Sequence, residues 1–458
     1  MDKFRHNLLL RIVKVLNAIM ITVPFALSWI LYYAERVDAP FYKKGNWLVI
    51  ALYFTLYIIF GRIYDAFLIS MNRISEIIYS QVLAFLVADG IMYIVIWLLS
   101  KHLPNLLPGC AAIAGQLILS SIWALLAHRW YFSVFPPRVT GIIYDMRKGM
   151  TDLIDSYGLS AKFDVQMTAH VDECIADLSI LDGIQTVFLS GIHSRERNVI
   201  IKYCVANDID VFVIPRIGDV LMSAADHMHM FHLPMLHLRR YNVQPEYLFM
   251  KRLLDIVLSG IMLVLFSPAM LVVALVIKKS DGGPIFYKQV RLTKDGKRFE
   301  ILKFRSMRVD AEKDGVPRLS TGDKDDRVTP VGRVIRACRL DELPQLINIL
   351  AGDMTIVGPR AERPEIAAKY EEEMPEFALR LQGKAGLTGY AQVYGKYNTT
   401  PYDKLQMDLM YLAHPSLMED FKIMFATVKI LFLAESTEGV EEGHETAMKE
   451  DFTTHSID

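Results

Sequence analysis

The sequence has little charge for its length. Of its 458 residues, 22% are Asp, Glu, Lys or Arg, whereas 52% are hydrophobic and the mean hydropathy is +0.26. A soluble protein of this length usually carries more charge. The apolar residues are clustered, which is typical of membrane segments rather than of one large core. The formal net charge is −1, so no overall positive charge points to nucleic acid as a partner.

Cysteine is also scarce. The chain has four cysteines, which lie far apart and form no C-x-x-C pair. This spacing argues against a structural zinc site or a disulfide framework and fits a reducing cytosolic environment.

Long apolar runs are abundant. Four runs occur in the first third of the chain, at about 13–33, 47–60, 80–99 and 105–127. Each is close in length to the ~20 residues that a helix needs to cross a bilayer. We therefore predict a four-helix transmembrane bundle over residues 1–135. Basic residues before the first run and between the second and third favour the cytoplasm for those ends. Lys43 and Lys44, in the loop after the first run, argue against this orientation. No signal peptidase site follows the first run, so we expect that run to be retained.

Residues 136–240 have a different pattern. Four short β-rich runs alternate with helical patterns, which predicts a parallel α/β sheet; the runs are RVTGIIYDM, FDVQMTA, IQTVFLSG and IDVFVIP. A Rossmann-like domain that binds a dinucleotide would carry G-x-G-x-x-G at the first strand–helix turn. That turn reads YDMRKGM, so we predict the fold without the cofactor, in a regulatory or assembly role. The His- and Met-rich segment 227–238 is interpreted as a strand or linker rather than a metal site.

A fifth apolar run, within the predicted re-entrant helix 253–277, has cations at both ends, which are Lys251, Arg252, Lys278 and Lys279. The positive-inside rule pulls both ends to the cytoplasm. Pro268 removes a backbone donor near the middle, and Ser267 can satisfy a freed carbonyl. We therefore predict a re-entrant helix–break–helix in the membrane. A kinked transmembrane helix is the alternative, because the run is long enough to cross.

An adjacent acid pair, Asp341 and Glu342, lies between a cationic run and an apolar one in CRLDELPQLINIL. Cations beside a carboxylate favour its charged form, so we expect Asp341 to be ionised and able to attack phosphorus. Glu342 is a natural partner for Mg²⁺, which binds one or two carboxylates together with phosphate oxygens. Nearby guanidinium groups suit phosphate. The alternative is a salt-bridged helix end.

Five separated motifs carry a resemblance to a known family: KFRSM, RLDELPQLINIL, GDMTIVGPR, GLTGYAQVYGK and DLMYLAHPSLMEDFKIM. In order and spacing, over about 250–435, they resemble the bacterial sugar transferase family. These are monotopic polyprenol-phosphate hexose-1-phosphate transferases that begin exopolysaccharide and capsule assembly. The resemblance implies a mixed membrane protein with a four-helix transmembrane bundle, a Rossmann-like α/β domain and an α/β monotopic phosphoglycosyl transferase module over 245–436. Residues 437–458 are expected to form a disordered acidic tail.

The resemblance also implies a reaction and a location. The enzyme would transfer a hexose-1-phosphate from a UDP-sugar to undecaprenyl phosphate and release UMP, through a covalent aspartyl-phosphosugar intermediate. It would be a multi-pass protein of the bacterial inner (plasma) membrane, with its catalytic domain in the cytoplasm. The sugar is not identified, and a homodimer is left open.

Site residues are carried over position by position. Asp341 would be the nucleophile, Glu342 would complete the dyad, and both would hold Mg²⁺. The residues expected to bind the substrates are Lys303, Arg305, Arg336, Pro359, Arg360, Lys396 and Asp420. Ser267 and Pro268 would form the break of the membrane helix. The G-P-R-P turn of the family reads GPRA here, because Ala361 replaces the second proline, which we expect to loosen the turn.

Two other functions remain open from the residues alone. A conventional glycosyltransferase would release UDP and often holds its metal with a D-x-D motif, which Asp323 and Asp325 offer. A non-catalytic membrane scaffold or sensor, whose α/β domain binds a small effector, would need no dyad.

Overall fold

The computed structural model describes residues 3–240, 243–309, 311, 327–395 and 399–431. Lys396, the Asp323–Asp325 motif and the predicted tail 437–458 lie outside these ranges. The chain forms two compact units, which divide between Ile214 and Pro215.

The first unit begins with four apolar helices, which confirms the four predicted runs as helical. They are α1 (Lys3–Ser28, continued by a π-helical turn over Trp29–Tyr33), α2 (Lys43–Ile63), α3 (Ile74–Leu98) and α4 (Leu107–Val134). Helices α1 and α3 each pack against α2 and α4. Buried hydrogen bonds join them, from Tyr57 to Asn17 and from Gln116 to Tyr53. Among the described residues, these four helices and a later one, Pro245–Ser280, are long and apolar enough to cross a membrane.

A four-stranded sheet follows the helices. Its elements are β1 (Arg138–Tyr144), α5 (Met150–Ser156), β2 (Phe163–His170), α6 (Val171–Ala176), β3 (Thr186–Ser190), α7 (Ser194–Ala206) and β4 (Asp210–Val213). All strand pairs are parallel, in the order β2–β1–β3–β4. Ile143, Val187 and Leu189 are buried in its core because strands covered on both faces need apolar side chains. The predicted parallel α/β sheet is thus confirmed.

The second unit opens with α8 (Ile217–Ser223) and an antiparallel hairpin of β5 (Asp226–Met230) and β6 (Leu233–His237). Phe231 and His232 form the two-residue turn with positive φ angles, as tight hairpins require. The interpretation of the His- and Met-rich segment as a strand is confirmed.

Helix α9 (Pro245–Asp281) contains the fifth apolar run. It is one continuous helix through Ser267 and Pro268, and the Ser267 hydroxyl donates to the Val264 carbonyl at 2.8 Å. The structure therefore does not confirm a break at these residues, and the re-entrant path stays a prediction.

Both halves of α9 pack against the globular part of the chain that follows it, which begins at Phe286, ends at Leu431 and is called the module below. In the first half, Arg252 donates to the carbonyls of Ile349 and Leu350 at 2.7 and 2.9 Å. In the second half, Val273 and Ile277 are buried in a cluster with Phe304 and Ile335. Between these contacts the helix exposes large apolar side chains, which are Val264 (77%), Leu265 (67%) and Leu271 (62%).

The module itself is a small α/β assembly. Its elements are β7 (Phe286–Leu292), β8 (Arg298–Phe304), α10 (Pro330–Ala337), α11 (Gln345–Ala351), β9 (Thr355–Val357), α12 (Pro364–Glu373), β10 (Gly386–Thr388), α13 (Tyr390–Tyr394), α14 (Pro401–Ala413) and α15 (Leu417–Leu431). Strands β7 and β8 are antiparallel, whereas β9 and β10 are parallel. The apolar core gathers α11, α14 and α15 around β9, through residues such as Leu346, Leu405 and Ile423.

Candidate active site

The acid pair lies on a single 3-10 turn, Leu340–Glu342, between α10 and α11. The residue before it, Arg339, has a left-handed backbone (φ 55°, ψ 20°). A non-glycine residue in this conformation stores on the order of 1–3 kcal/mol of strain, and such residues cluster at functional sites. Asp341 is 9% exposed, so most of its side chain is buried and only a small part of it reaches solvent.

Strand β8 brings Lys303 to the pair. The Lys303 ammonium nitrogen lies 3.1 Å from Oε1 of Glu342, and the two side chains are 20% and 18% exposed. Partial burial strengthens the Coulomb attraction between the two groups. The structure therefore joins two residues predicted from separate motifs.

The charges around the pair affect its two members in opposite directions. Burial and the neighbouring Glu342 charge raise the pKa of Asp341, although Lys303, Arg336 and Arg339 oppose that rise. Burial of Glu342 also opposes its ionisation, but Lys303, Arg360 and Arg339 outweigh it and lower the pKa of Glu342. The cations thus favour the charged form of Asp341, as we expected, but burial and the adjacent carboxylate outweigh them in setting its pKa, so the ionised state of Asp341 stays a prediction.

Two of the predicted arginines lie near Ser306: Arg305 precedes it in the chain, and Arg336 bonds to its side chain. The Arg336 Nε donates to the Ser306 hydroxyl at 2.8 Å. Arg305 is 7% exposed, and its guanidinium lies directly against Gly283, just after α9. The charge of Arg336 also acts to lower the pKa of Asp341. The role of Arg305 as a substrate contact stays a prediction.

Pairing of β9 with β10 joins two further motifs, GDMTIVGPR and GLTGYAQVYGK. The Gly358 amide donates to the Thr388 carbonyl at 2.9 Å, and the Gly386 amide donates to the Pro359 carbonyl at 2.8 Å. A Cβ atom at Gly389 would clash with the Gly358 carbonyl oxygen, so a side chain does not fit there. This packing sets Arg360 beside Gln392, whose side-chain oxygen accepts a hydrogen bond from it at 2.8 Å.

Two arginines that the sequence analysis missed anchor the turn after Pro359. Arg380 donates to the Arg360 carbonyl at 3.1 Å, and Arg291 donates to the Ala361 carbonyl at 3.0 Å. Arg380 also forms a buried ion pair with Asp408 at 2.6 Å, where the side chains are 4% and 1% exposed. Side chains thus anchor the turn that contains Ala361, and the loosening expected from the missing proline stays a prediction. The available signal was the position of Arg380 and Asp408 inside apolar helical patterns; Arg291 lies on β7 and had no such signal.

Asp420 lies in a buried cluster beside α9. Its carboxylate accepts from Lys251 at 2.8 Å, from Tyr411 at 2.7 Å and from Tyr247 at 2.9 Å. The Tyr411 hydroxyl also lies 3.3 Å from the Val357 carbonyl, so the cluster supports the end of β9. Asp420 therefore forms a buried ion pair with Lys251, and its contact with substrate stays a prediction. Lys396 is outside the described residues.

Comparisons with known proteins identify the family of the chain. The sequence model of the family described as "Bacterial sugar transferase" matches residues 246–434. A Caulobacter vibrioides protein named UDP-glucose:undecaprenyl-phosphate glucose-1-phosphate transferase is 40% identical over 191 residues, which cover 41% of this chain and 71% of that protein. An exopolysaccharide production protein, PSS, of Rhizobium leguminosarum is 38% identical over 190 residues, 40% of this chain and 94% of that protein. The chain belongs to the bacterial sugar transferase family.

A third relative carries a different sugar in its name. The UDP-N-acetylgalactosamine-undecaprenyl-phosphate N-acetylgalactosaminephosphotransferase of Aeromonas hydrophila is 37% identical over 233 residues, 50% of this chain. The match spans about half (53%) of that relative. The matched stretches are 191, 190 and 233 residues long in a chain of 458.

Proposed function

We propose that this membrane-associated protein transfers a sugar-1-phosphate from a UDP-sugar to undecaprenyl phosphate and releases UMP. The observation that carries the proposal is the acid pair on a strained turn, surrounded by Lys303, Arg336, Arg339 and Arg360. A diphosphate carries negative charge that such cations offset. The names of the relatives support the same reaction class. The location would be the bacterial inner membrane, with the module on the cytoplasmic side.

In the proposed mechanism Asp341 is the nucleophile. One of its carboxylate oxygens attacks the phosphorus that carries the sugar, and the bridging bond from that phosphorus to UMP breaks. An oxygen of undecaprenyl phosphate then attacks the same phosphorus and releases Asp341. Glu342, held by Lys303 at 3.1 Å, keeps its own charge and raises the proton affinity of Asp341. Arg360 is positioned by Gln392 to contact a phosphate.

We also propose that Mg²⁺ assists. Two adjacent carboxylates fit the usual protein contribution to a Mg²⁺ site, in which phosphate oxygens and water supply the other ligands. Among the described residues no cluster of three or more His, Cys, Asp or Glu side chains is suited to a metal, and from this part of the chain Asp341 and Glu342 would hold the ion. The bound ion would neutralise charge on the diphosphate.

The re-entrant path of α9 is supported by its packing. Arg252 in the first half and Ile277 in the second half both contact the module, and a soluble module contacts both ends of a helix only if they stay on one face of the membrane. The exposed apolar middle would then enter the bilayer from that face. This arrangement places the acid pair where a soluble nucleotide sugar and the phosphate of a lipid can meet.

The test is a nucleotide-release assay on the full-length protein in detergent. UDP-glucose, UDP-galactose and UDP-N-acetylgalactosamine would each be supplied with undecaprenyl phosphate and Mg²⁺. We expect UMP release that depends on the lipid and disappears in Asp341→Asn. Release of UDP would instead favour a glycosyltransferase, and no nucleotide with any donor would favour the scaffold.

A single-turnover version tests the covalent step. Without undecaprenyl phosphate, wild type incubated with UDP-sugar should gain the mass of one sugar-phosphate on the peptide that contains Asp341. Absence of that adduct, with UMP still released when lipid is added, would contradict the covalent intermediate. The Glu365→Gln variant serves as a control, because Glu365 is an exposed carboxylate of α12 outside the acid pair.

Metal removal provides a separate prediction. EDTA should reduce UMP release by at least about tenfold, since charge neutralisation by a metal contributes several kcal/mol to such reactions. Added Mg²⁺ should restore it. Full activity in EDTA would contradict the magnesium proposal and leave the role of Asp341 intact.

A further inference from the structure

The first unit contains a cavity of about 330 Å³ that the transfer reaction does not use. It lies where three parts of that unit meet: the loop 70–73 and first residues of α3, the last two turns of α4, and the loop 157–162 before β2. Sites for small molecules usually measure about 300–1,000 Å³, so this cavity is large enough for a ligand of modest size.

Three basic side chains line the cavity, those of Arg73, His128 and Lys162. The Lys162 ammonium lies 3.2 Å from the Ser70 hydroxyl and 3.2 Å from the sulfur of Met71. Within the described part of the chain, no carboxylate pairs with Lys162. The Arg73 guanidinium donates to the Ser156 carbonyl at 2.6 Å, which fixes its position and leaves other N–H groups for a ligand.

The surroundings of Lys162 penalise its positive charge. Burial and the nearby charge of Arg138 lower the pKa of Lys162 to about 8. Arg138 itself is paired with Asp210. An anion bound in the cavity would reverse this penalty by bringing the missing negative charge to Lys162.

The remaining wall is apolar. Ile74, Phe132 and Leu159 contribute to it, and the Phe132 ring packs against His128 at a centroid distance of 4.7 Å. An inorganic ion would leave this apolar surface uncovered. A phosphate attached to an organic group would place its charge beside Arg73 and Lys162 and its carbon atoms against the apolar wall.

We propose that this cavity binds an organic phosphate, with Arg73 and Lys162 holding the phosphate group. Two sources have this chemistry. Because the cavity lies where α3 begins and α4 ends, the headgroup of a membrane phospholipid can reach it, and so can a soluble phosphate ester. The proposal does not depend on the transfer reaction, since none of these residues belongs to the module that contains Asp341 and Glu342.

The test is protection of Lys162 from an amine-specific reagent, followed by peptide mass spectrometry on the delipidated full-length protein in detergent. The soluble arm adds glycerol 3-phosphate, and the lipid arm adds dihexanoyl phosphatidic acid. Glycerol serves as the uncharged control. Lys202, an exposed lysine of α7 in the same unit, serves as the control site.

We expect at least one phosphate probe to slow labelling of Lys162 about tenfold at saturation and to leave Lys202 unchanged. Protection by glycerol 3-phosphate would support a soluble ester, and protection by the phosphatidic acid alone would support a lipid headgroup. If neither probe protects Lys162, or if both lysines are protected equally, the proposal is overturned.

A variant pair tests the role of Arg73. Arg73→Gln should raise the half-protecting concentration about tenfold, the usual effect of losing a charged hydrogen bond. The matched control is Arg129→Gln, which changes an exposed arginine of α4 that does not line the cavity. An unchanged half-protecting concentration in Arg73→Gln would overturn the proposed contact.

Discussion

The Lys303 ammonium group makes two adjacent carboxylates chemically different. It lies 3.1 Å from Glu342, and with Arg360 and Arg339 it lowers the pKa of that residue. Asp341 receives less compensation, so its pKa is raised by burial and by the charge of Glu342. Environments that push two neighbouring acids apart in pKa are typical of sites where the acids have separate roles.

Lys303→Gln is the corresponding prediction. Loss of the ammonium leaves Glu342 partly buried without its partner, so we expect UMP release to fall at least about 30-fold, or roughly 2 kcal/mol in the barrier. Lys303→Arg should recover part of the rate because it keeps the charge. The measurement is kcat with saturating UDP-sugar.

Lys297→Gln is the matched control, since Lys297 is an exposed lysine just before the same strand. It should retain wild-type kcat. If Lys303→Gln also retained it, the ion pair with Glu342 would have no role in the reaction.

At the scale of elements, the short strands β9 and β10 bring the two glycine-rich motifs together. Their pairing is so close that the backbone of Gly358 contacts the backbones of Gly386 and Gly389. Gly389 has an extended backbone (φ −171°), so the restriction there is lack of space rather than conformation. The position of Arg360 therefore depends on glycines some 30 residues later in the chain.

Gly389→Ala should consequently impair the enzyme. The new methyl group would push the Gly358 carbonyl away and displace Arg360, which we expect to cost about 1–3 kcal/mol of stability and to reduce UMP release. Thermal unfolding of the detergent-solubilised protein and kcat would be measured together.

The control for this variant is Gly218→Ala in α8, where an added Cβ meets no neighbouring atom within 4 Å. Alanine is favoured over glycine in a helix, so this variant should be neutral or more stable by about 0.5–1 kcal/mol. Equal behaviour of the two variants would contradict the packing argument.

The anchor formed by Arg380 gives a second prediction at this scale. Arg380→Met leaves Asp408 buried without its partner, which should cost about 3 kcal/mol or more. The apparent Tm should fall by roughly 6 °C or more. Arg298→Met changes an exposed arginine at the start of β8 and should shift the free energy of unfolding by no more than about 0.5 kcal/mol. If the Tm of Arg380→Met fell no more than that of Arg298→Met, the proposed anchor would be contradicted.

At the scale of the whole molecule, the path of α9 determines which side of the membrane the module occupies. Its first turns carry Lys251, which pairs with Asp420 of the module at 2.8 Å. Its last turns carry Ile277, which is buried against the module. Both anchors lie on one face if the helix is re-entrant.

Cysteine labelling checks this path. In a background with the exposed Cys110 and Cys338 replaced by Ser, Glu246→Cys and Lys279→Cys would mark the two ends of α9. We expect a membrane-impermeant maleimide to label both in inverted vesicles and neither in spheroplasts. Ala39→Cys, in the loop between α1 and α2, should show the opposite pattern. Labelling of the two α9 positions from opposite sides would establish a transmembrane helix instead.

Much of this architecture was predictable because its signals are local. Long apolar runs predicted α1 to α4, and β-rich runs predicted the four parallel strands, since both patterns depend on neighbouring residues. The acid pair and Lys303 were predicted from motifs in one order. The left-handed backbone of Arg339 was not predicted, because no local sequence pattern marks an arginine for this conformation.

Long-range pairing limited the prediction of the site. The Arg380–Asp408 pair joins residues that neither spacing nor pattern connects, and Lys251 was interpreted only as a charge flanking a membrane helix. The rise in the pKa of Asp341 depends on burial, a tertiary property that the neighbouring residues in the sequence do not reveal.

The contact of Gly358 with Gly386 and Gly389 also limits how this site can evolve. A mutation that damages an ion pair such as Lys303–Glu342 can be compensated by a second mutation, because both partners are side chains and both can change. At the glycines, the atom in the way is a main-chain atom, which every amino acid carries. No second-site substitution at the contacting residue can remove it. Lineages that lose one of these glycines are therefore expected to recover by reversion rather than by compensation.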